Sequence, residues 1–264
     1  MGQGSSRIPG FDDIHAALFH RDEGYVSRDL VGYGELMTAA EGSPLQRVLT
    51  LGGSTGSGKS VLLKLLLMQA IQKGSQVYIS DFKGGVDFPP VWQKKCRMCV
   101  DEESTLELLT ELTDELKRRK KLLAAVGQSN IDRYNAATGA HLRRYIFACD
   151  EIAEVLDKTG LTKEQKETVS KIESRLSMIA RQGRAFGIHL ILATQRPDAN
   201  ILSGQIKNNV NCRICGRADT VLSQIILDNT SAAEQIPKEA RGRFLLHDGT
   251  VFQAYWFDDE GGWQ

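Results

Sequence analysis

Short apolar runs alternate with longer stretches of helical spacing along most of the sequence. The short runs are rich in Val, Ile and Leu, and they predict strands at residues 47–51, 77–80, 96–100, 144–149, 188–193 and 211–216. Two later runs, at 242–246 and 250–255, flank His247-Asp248-Gly249 and predict a C-terminal β-hairpin. Largely apolar strands between helices are typical of an α/β fold with a mostly parallel central sheet flanked by helices on both faces.

The stretches of helical spacing predict four long helices. Three span residues 59–73, 162–184 and 217–227, and Gly74 is expected to stop the first. The fourth is expected to begin at Ser104, because Ser104 and Glu107 have the spacing of a capping box. Four leucines of that helix then fall on one face: Leu106, Leu109, Leu112 and Leu116.

Polar residues stand at the carboxyl ends of several predicted strands. They are the loop after Leu51, Asp81, Asp150-Glu151 and Thr194-Gln195. In open α/β sheets, ligands bind beyond the carboxyl ends of the strands. The hydrophobic pattern alone therefore predicts the edge of the sheet at which a ligand site lies.

Composition narrows the class of protein. The length of 264 residues suggests one large domain whose core needs no disulfide or metal. The 33 Lys and Arg residues balance 33 Asp and Glu residues, so any DNA contact must come from locally placed cations rather than from a bulk-basic coat. No apolar run reaches about 18 residues, and no apolar stretch opens the chain. The sequence thus predicts a soluble cytoplasmic protein, or a soluble piece of a longer one.

The five cysteines include two C-x-x-C pairs, which suggest a zinc site. The pairs are Cys96 with Cys99 and Cys212 with Cys215, and both lie in predicted strands. Positions i and i+3 of a strand point to opposite faces, which disfavours chelation by one pair. Reduced thiols in a cytosol are the preferred interpretation.

One segment between a predicted strand and a predicted helix matches G-x-x-x-x-G-K-[ST] in full, in the context that this phosphate-binding motif requires. Its glycines let successive backbone N–H groups point at phosphate oxygens, and the helix N-terminus adds a positive dipole end. Lys59 is expected to reach the β- and γ-phosphates of ATP, and the Ser60 hydroxyl to bind Mg²⁺. The nucleotide-binding candidates are Gly53, Ser54, Thr55, Gly56, Ser57, Gly58, Lys59 and Ser60.

The carboxylates after the strand at 144–149 complete a predicted hydrolytic site. Asp150 is expected beside Mg²⁺, and Glu151 is expected to polarise a water for attack on the γ-phosphate. Gln195, after the next apolar strand, is predicted to sense the γ-phosphate or orient the water. Asp81 either helps to organise the site or makes a loop salt bridge. The catalytic candidates are Lys59, Glu151 and Gln195.

Three segments together resemble the motor domains of the FtsK/SpoIIIE family: Gly53–Ser60, Asp81-Phe82-Lys83-Gly84-Gly85, and residues 187–197. The similarity runs from about residue 48 to about residue 255. It implies a RecA-like P-loop NTPase that hydrolyses ATP with Mg²⁺ in a ring of six subunits and moves double-stranded DNA through the central channel. The FtsK-like coupling proteins of conjugative elements share this pattern.

The resemblance leaves some questions of function and organisation open. Type VII secretion ATPases share the motor and move polypeptide, and an inactive structural ring is a third hypothesis. Where DNA-translocating members often have Asp-Pro-Lys, this chain has Asp81-Phe82-Lys83. The predicted organisation is a lead-in segment at 1–45, the motor domain at 46–257 and a tail at 258–264. A bacterial cytoplasmic location is implied, at the inner face of the membrane if a membrane-anchored partner or a missing membrane segment exists.

A ring motor needs two further groups of residues. A neighbouring subunit commonly supplies an arginine to the transition state, and the candidates are Arg181, Arg184 and Arg213. DNA contacts are predicted in segments 159–171 and 198–211, the second of which resembles the family's channel loop at 204–209. The named DNA-channel candidates are Lys171, Lys207 and Asn208, where Lys207 would touch phosphates or be a solvated loop lysine.

Overall fold

The computed structural model describes residues 48–195, 202–256 and 259. An eight-stranded sheet forms its centre, with strand order β3-β2-β4-β5-β1-β6-β7-β8. Strands β1 to β6 are mutually parallel, and β7 and β8 add antiparallel pairs at one edge. The bounds are β1 Val48–Gly52, β2 Gln76–Ser80, β3 Arg97–Cys99, β4 Tyr145–Cys149, β5 Ile188–Thr194, β6 Val210–Cys215, β7 Arg243–Leu246 and β8 Val251–Gln253. The predicted α/β fold with a C-terminal hairpin is confirmed.

Nine helices lie between the described strands. They are α1 Lys59–Gln72, α2 Pro90–Gln93, α3 Glu102–Ala125, α4 Ile131–Thr138, α5 Ile152–Leu156, α6 Lys163–Gln182, α7 Gly204–Lys207, α8 Thr220–Leu227 and α9 Ser231–Gln235. A 3-10 turn at Arg184–Phe186 joins α6 to β5. Every predicted strand and long helix is present, with two helix starts displaced, and the sequence pattern did not predict the short helices α2, α4, α5, α7 and α9.

Two predicted helix starts are wrong. Helix α3 begins at Glu102, because the Asp101 carboxylate accepts a hydrogen bond from the Ser104 backbone N–H and so caps the helix one turn earlier. Helix α8 begins at Thr220 rather than at Arg217, because Asp219 caps it in the same way. A full capping box does occur, but at the start of α6.

Apolar residues pack on both faces of the sheet. Helix α1 covers one face, where Leu63 and Leu67 meet Ile79 and Ile146. Helices α3 and α6 cover the other face with Leu112 and Leu176 among their buried side chains. A smaller cluster joins α8 and α9 to the β6–β7 edge. The sheet is therefore held rigidly between two helical layers, which fixes the positions of the strand ends.

The cysteines of each C-x-x-C pair lie in different clusters. Cys96 and Cys212 pack in the core under α1, whereas Cys99 packs under α3 and Cys215 beside α8. All five cysteines are buried and free. Burial raises the pKa of the Cys99 thiol to about 11 and that of Cys212 to about 12. The expectation that each pair divides between opposite faces is confirmed.

Several predictions fall on residues outside the described ranges. These are the lead-in segment at 1–45, positions 196–201 of the family-like and channel segments, and the tail at 258–264 except Asp259. The Asp259 carboxylate accepts hydrogen bonds from Lys64 of α1, at 2.7 Å, and from the Trp92 indole of α2, at 2.6 Å. Among the helices that the structure describes, none is long and apolar enough to cross a membrane.

Candidate nucleotide site

The loop between β1 and α1 has the shape that a phosphate cradle needs. Gly56 and Gly58 adopt positive φ angles of 76° and 93°, which favour glycine over residues with a Cβ. A Cβ at Gly58 would also lie 2.9 Å from the backbone nitrogen of Gly242. Helix α1 starts directly after Gly58 with no side-chain cap, so its first N–H groups are available to an anion.

Segments from late in the sequence support this loop. The Ser54 backbone N–H donates to the carbonyl of Arg217 at 2.8 Å, and the Arg217 guanidinium donates to the carbonyl of Thr55 at 2.6 Å. The Gly242 N–H donates to the Ser57 carbonyl at 2.7 Å. The sequence pattern did not predict the role of Arg217; its one signal is its position two residues after the end of β6.

Asp150 lies at the end of β4 with its carboxylate facing the start of α1. Lys59 Nζ donates to Asp150 Oδ1 at 2.8 Å and to the Asp150 carbonyl at 2.7 Å. Ser60 Oγ lies 3.0 and 3.2 Å from the two carboxylate oxygens, and Lys83 Nζ lies 3.0 Å from Oδ2. Burial to 1% exposure alone would raise the pKa of Asp150, but the Lys59 and Lys83 ammoniums hold it below its usual value. The carboxylate is therefore charged at neutral pH.

The neighbouring Glu151 is held by the next strand. Its Oε1 accepts from the Thr194 hydroxyl at 2.6 Å, and its Oε2 accepts from the Gln195 backbone N–H at 2.9 Å. Glu151 is 4% exposed. Both carboxylate oxygens thus have fixed partners, and the end of β5 sets the orientation of the group that is predicted to activate water.

Gln195 joins β5 to the phosphate loop. Its side-chain oxygen accepts from the Thr55 hydroxyl at 3.1 Å. The structure therefore brings together Lys59, Ser60, Asp150, Glu151 and Gln195, although they come from three separate stretches of sequence. Through this contact, movement of the phosphate loop can be transmitted to Gln195 at the end of β5.

The loop after β2 adds a cation that the sequence reasoning missed. The Asp81 carboxylate accepts backbone hydrogen bonds from Lys83 at 3.0 Å and from Gly85 at 3.1 Å. Asp81 thus organises its own loop, and the ion pairs of this loop are made by Lys83, with Asp87 and Asp150. The signal in the sequence is the Asp81-Phe82-Lys83 motif, in which a role was expected for Asp81 and not for the lysine.

The oxygen atoms at this site fit Mg²⁺. Magnesium prefers one or two carboxylates together with phosphate and water oxygens. Ser60 Oγ and the Asp150 carboxylate are adjacent at the N-terminus of α1, and Asp150 is charged. These two residues are the ones that would hold the ion.

The three arginine candidates lie in two places. Arg181 and Arg184 lie at the end of α6 and in the turn that leads into β5, beside the amino ends of β4 and β5. That edge is opposite to the phosphate loop, so neither arginine can serve the site of its own chain. Arg213 lies opposite Thr50 in the middle of the sheet and pairs with Asp228.

The three DNA-channel candidates differ in exposure and in side-chain contacts. Lys171 is exposed and pairs with Glu167 at 3.3 Å within α6, and Asn208 is exposed just after α7. Lys207, at the last position of α7, is half-buried and lines a cavity with Thr194 and Arg213. Thr194, whose hydroxyl donates to Glu151, is on the lining of the same cavity as Lys207. The channel segment is therefore not one continuous loop, because Gly204–Lys207 forms a helical turn before β6.

The family model and the similar protein sequences agree on one family. The sequence model of the FtsK/SpoIIIE family matches residues 23–199. The chain is 29% identical over 201 residues to the DNA translocase SftA of Bacillus subtilis (strain 168), and 28% identical over 221 residues to the DNA translocase FtsK of Helicobacter pylori (strain ATCC 700392 / 26695). The alignments cover 71% and 75% of this chain but only 20% and 24% of those proteins.

Solved structures resemble the fold over most of its length. The pCW3 conjugation coupling protein TcpA, in a monomer form with ATPγS, has a TM-score of 0.78 and 41% identity, over 82% of this chain and 62% of that one. The cytoplasmic domain of the type VII secretion ATPase EccC from Thermomonospora curvata has a TM-score of 0.63 at 24% identity, over 81% of this chain and 26% of that one. The second likeness supports the fold alone. The predicted P-loop NTPase fold is confirmed.

Proposed function

Because the chain belongs to the FtsK/SpoIIIE family, we propose that it is an ATPase motor that hydrolyses ATP to move double-stranded DNA. The observation that carries the proposal is the buried Asp150-Glu151 pair, in which Asp150 is bonded to Lys59 and Glu151 is bonded to Thr194 at the end of β5. A second carboxylate beside the one that would hold Mg²⁺ can accept a proton from water, which nucleotide hydrolysis requires and nucleotide binding alone does not. We assign the motor to residues 46–257.

The residues of the site divide the work of hydrolysis. The backbone N–H groups of the loop and Lys59 bind the phosphates, and Ser60 and Asp150 would hold Mg²⁺, which would supply positive charge to the phosphates. Glu151 accepts a proton from the attacking water as the water oxygen bonds to the γ-phosphorus, the bond from the γ-phosphorus to the β–γ bridging oxygen breaks, and ADP leaves with that oxygen. Gln195 reports the state of the γ-phosphate to the segment that follows β5.

The comparisons favour DNA over polypeptide as the transported substrate. The curated relatives are named DNA translocases, and TcpA, at 41% identity, is named a conjugation coupling protein. The secretion ATPase EccC lies at 24% identity. We propose a homo-hexameric ring in the bacterial cytoplasm, attached to the membrane through a partner or through another part of the same protein.

The proposal is tested by the ATPase rate with Mg²⁺ at low salt, over a range of protein concentrations, with and without double-stranded DNA. The rate is expected to rise with protein concentration as rings assemble, and to rise again with DNA. The Glu151→Gln variant controls for a contaminating ATPase. If assembled wild-type protein hydrolyses ATP but neither binds DNA nor responds to it, the DNA motor is wrong and polypeptide transport becomes the leading hypothesis.

A further inference from the structure

Lys83 makes a contact that the proposed mechanism leaves unexplained. Its ammonium lies 3.0 Å from Asp150 Oδ2 and 3.0 Å from Asp87 Oδ2. Lys83 is 28% exposed, whereas Asp150 is 1% exposed. A lysine from a surface loop thus reaches the carboxylate that faces the phosphate loop.

The backbone holds Lys83 in this place. Strand β2 pairs with β4 so that Ser80 lies beside Cys149, which puts the loop after Ser80 beside Asp150. Gly84 and Gly85 adopt φ angles of 71° and 84°, and the turn closes on the Asp81 carboxylate. Sheet register and turn geometry thus place the Lys83 backbone beside Asp150, and the Asp87 and Asp150 carboxylates hold its ammonium.

The two carboxylate oxygens of Asp150 have different partners. Oδ1 accepts from Lys59 and from Ser60, whose hydroxyl is nearer to Oδ1 than to Oδ2. Oδ2 accepts from Lys83. Lys59 and Ser60 belong to the phosphate loop and helix, and they are also the groups that serve the phosphates and Mg²⁺. When they turn to the nucleotide, Oδ1 is left without its donors, and a buried carboxylate without a partner is strongly unfavourable.

We propose that Lys83 is a positioning residue for Asp150. It keeps the carboxylate paired and oriented through Oδ2 while Lys59 and Ser60 engage the nucleotide, and it leaves Oδ1 facing the ion site. The inference rests on the proposed nucleotide function. It predicts a role for Lys83 that is specific to the nucleotide-bound protein, because Lys59 and Ser60 hold Asp150 otherwise.

The test compares nucleotide affinity with and without magnesium. Binding of a fluorescent ATP analogue is measured for wild type, Lys83→Met and Lys83→Arg, in Mg²⁺ and in EDTA. Lys83→Met is expected to weaken binding about tenfold in EDTA, where Lys59 is engaged with the phosphates and no Mg²⁺ compensates Asp150, and by less in Mg²⁺. Lys83→Arg should restore most of the affinity. The melting temperature of Lys83→Met without nucleotide should stay close to that of wild type.

Two further variants separate the Asp150 contact from other effects. Asp87→Asn removes the other partner of Lys83 and should change the affinity in EDTA by less than about twofold, and Lys94→Met, at an exposed lysine, should behave as wild type. Equal reductions in affinity with and without Mg²⁺, a matching reduction in Asp87→Asn, or unchanged binding in Lys83→Met would each overturn the proposal. If wild type binds the analogue neither in Mg²⁺ nor in EDTA, the proposed nucleotide function itself is overturned. If Lys83→Met does not fold, the same comparison is made with Lys83→Gln.

Discussion

The candidate nucleotide edge of the sheet and the predicted DNA-channel segments are built differently. At the nucleotide edge, Asp150 and Glu151 are almost fully buried, and every carboxylate oxygen has a donor within 3.2 Å. In the channel segments, Lys171 is 58% exposed and is paired with a carboxylate that is itself exposed. Transfer of a phosphoryl group needs fixed geometry, whereas contact with a DNA backbone needs reach and charge. The degree of side-chain fixation thus distinguishes the candidate nucleotide site from the predicted channel segments.

The largest effect should come from the arginine of a neighbouring subunit. Alanine replacement of the correct one among Arg181, Arg184 and Arg213 is expected to lower turnover by about 10³–10⁵-fold, because the transition-state charge is then without its partner. Mixing that variant with Lys59→Ala subunits should restore activity, since an intact phosphate site then meets an intact arginine. If no mixture regains ATPase activity, no arginine acts across the subunit interface, and the nucleotide site is complete within one chain.

Glu151→Gln should lower turnover by about 10²–10⁴-fold while nucleotide still binds. The amide can accept from the Gln195 N–H and donate to the Thr194 hydroxyl, so the geometry survives and only the basicity is removed. Steady-state ATPase rate and analogue binding are the two measurements. Glu164→Gln, at an exposed position on α6, is the control. Near-normal turnover would show that fixation at this edge serves structure rather than catalysis.

Lys59→Ala should weaken ATP binding on the order of 100-fold or more, because the variant has no charged donor for the two phosphates. The fold should survive, since Ser60 and Lys83 still contact Asp150. Isothermal titration and thermal melting test both statements, with Lys73→Ala at the far end of α1 as the control. Tight ATP binding by Lys59→Ala contradicts the assignment of the loop.

Lys207→Ala should have the smallest effect. DNA affinity should fall a few-fold at low salt, and the slope of log affinity against log salt should become shallower by about 1 for each phosphate that position 207 no longer neutralises. Basal ATPase activity should persist, while stimulation by DNA falls. Lys121→Ala, at an exposed lysine on α3, is the matched control. An unchanged slope means that Lys207 belongs to the sheet cavity and not to the channel.

The features that could be predicted from the sequence are those encoded by residues close together in the chain. The phosphate loop needs glycines and a lysine within eight positions, and Asp150 and Glu151 follow an apolar strand directly. The partners of those residues depend on which strands lie side by side, and no local spacing encodes that Lys83 reaches Asp150 or that Arg217 reaches Thr55.

The start of α3 was predicted wrongly for a related reason. Asp101 and Ser104 both suit a cap, and the choice between them depends on where β3 ends.

The place of β1 in the strand order has a consequence for synthesis of the protein. Val48 pairs with Leu190 on one side and with Val210 on the other, so both neighbours of β1 leave the ribosome long after it does. Until then an apolar strand carries two unpaired edges, which invites association with other chains. Parallel pairing between such distant segments is also slow to form. A nascent chain that stalls before β6 would contain the whole phosphate loop but neither Arg217 nor Gly242, which support it. We expect chaperones to bind the chain at this stage.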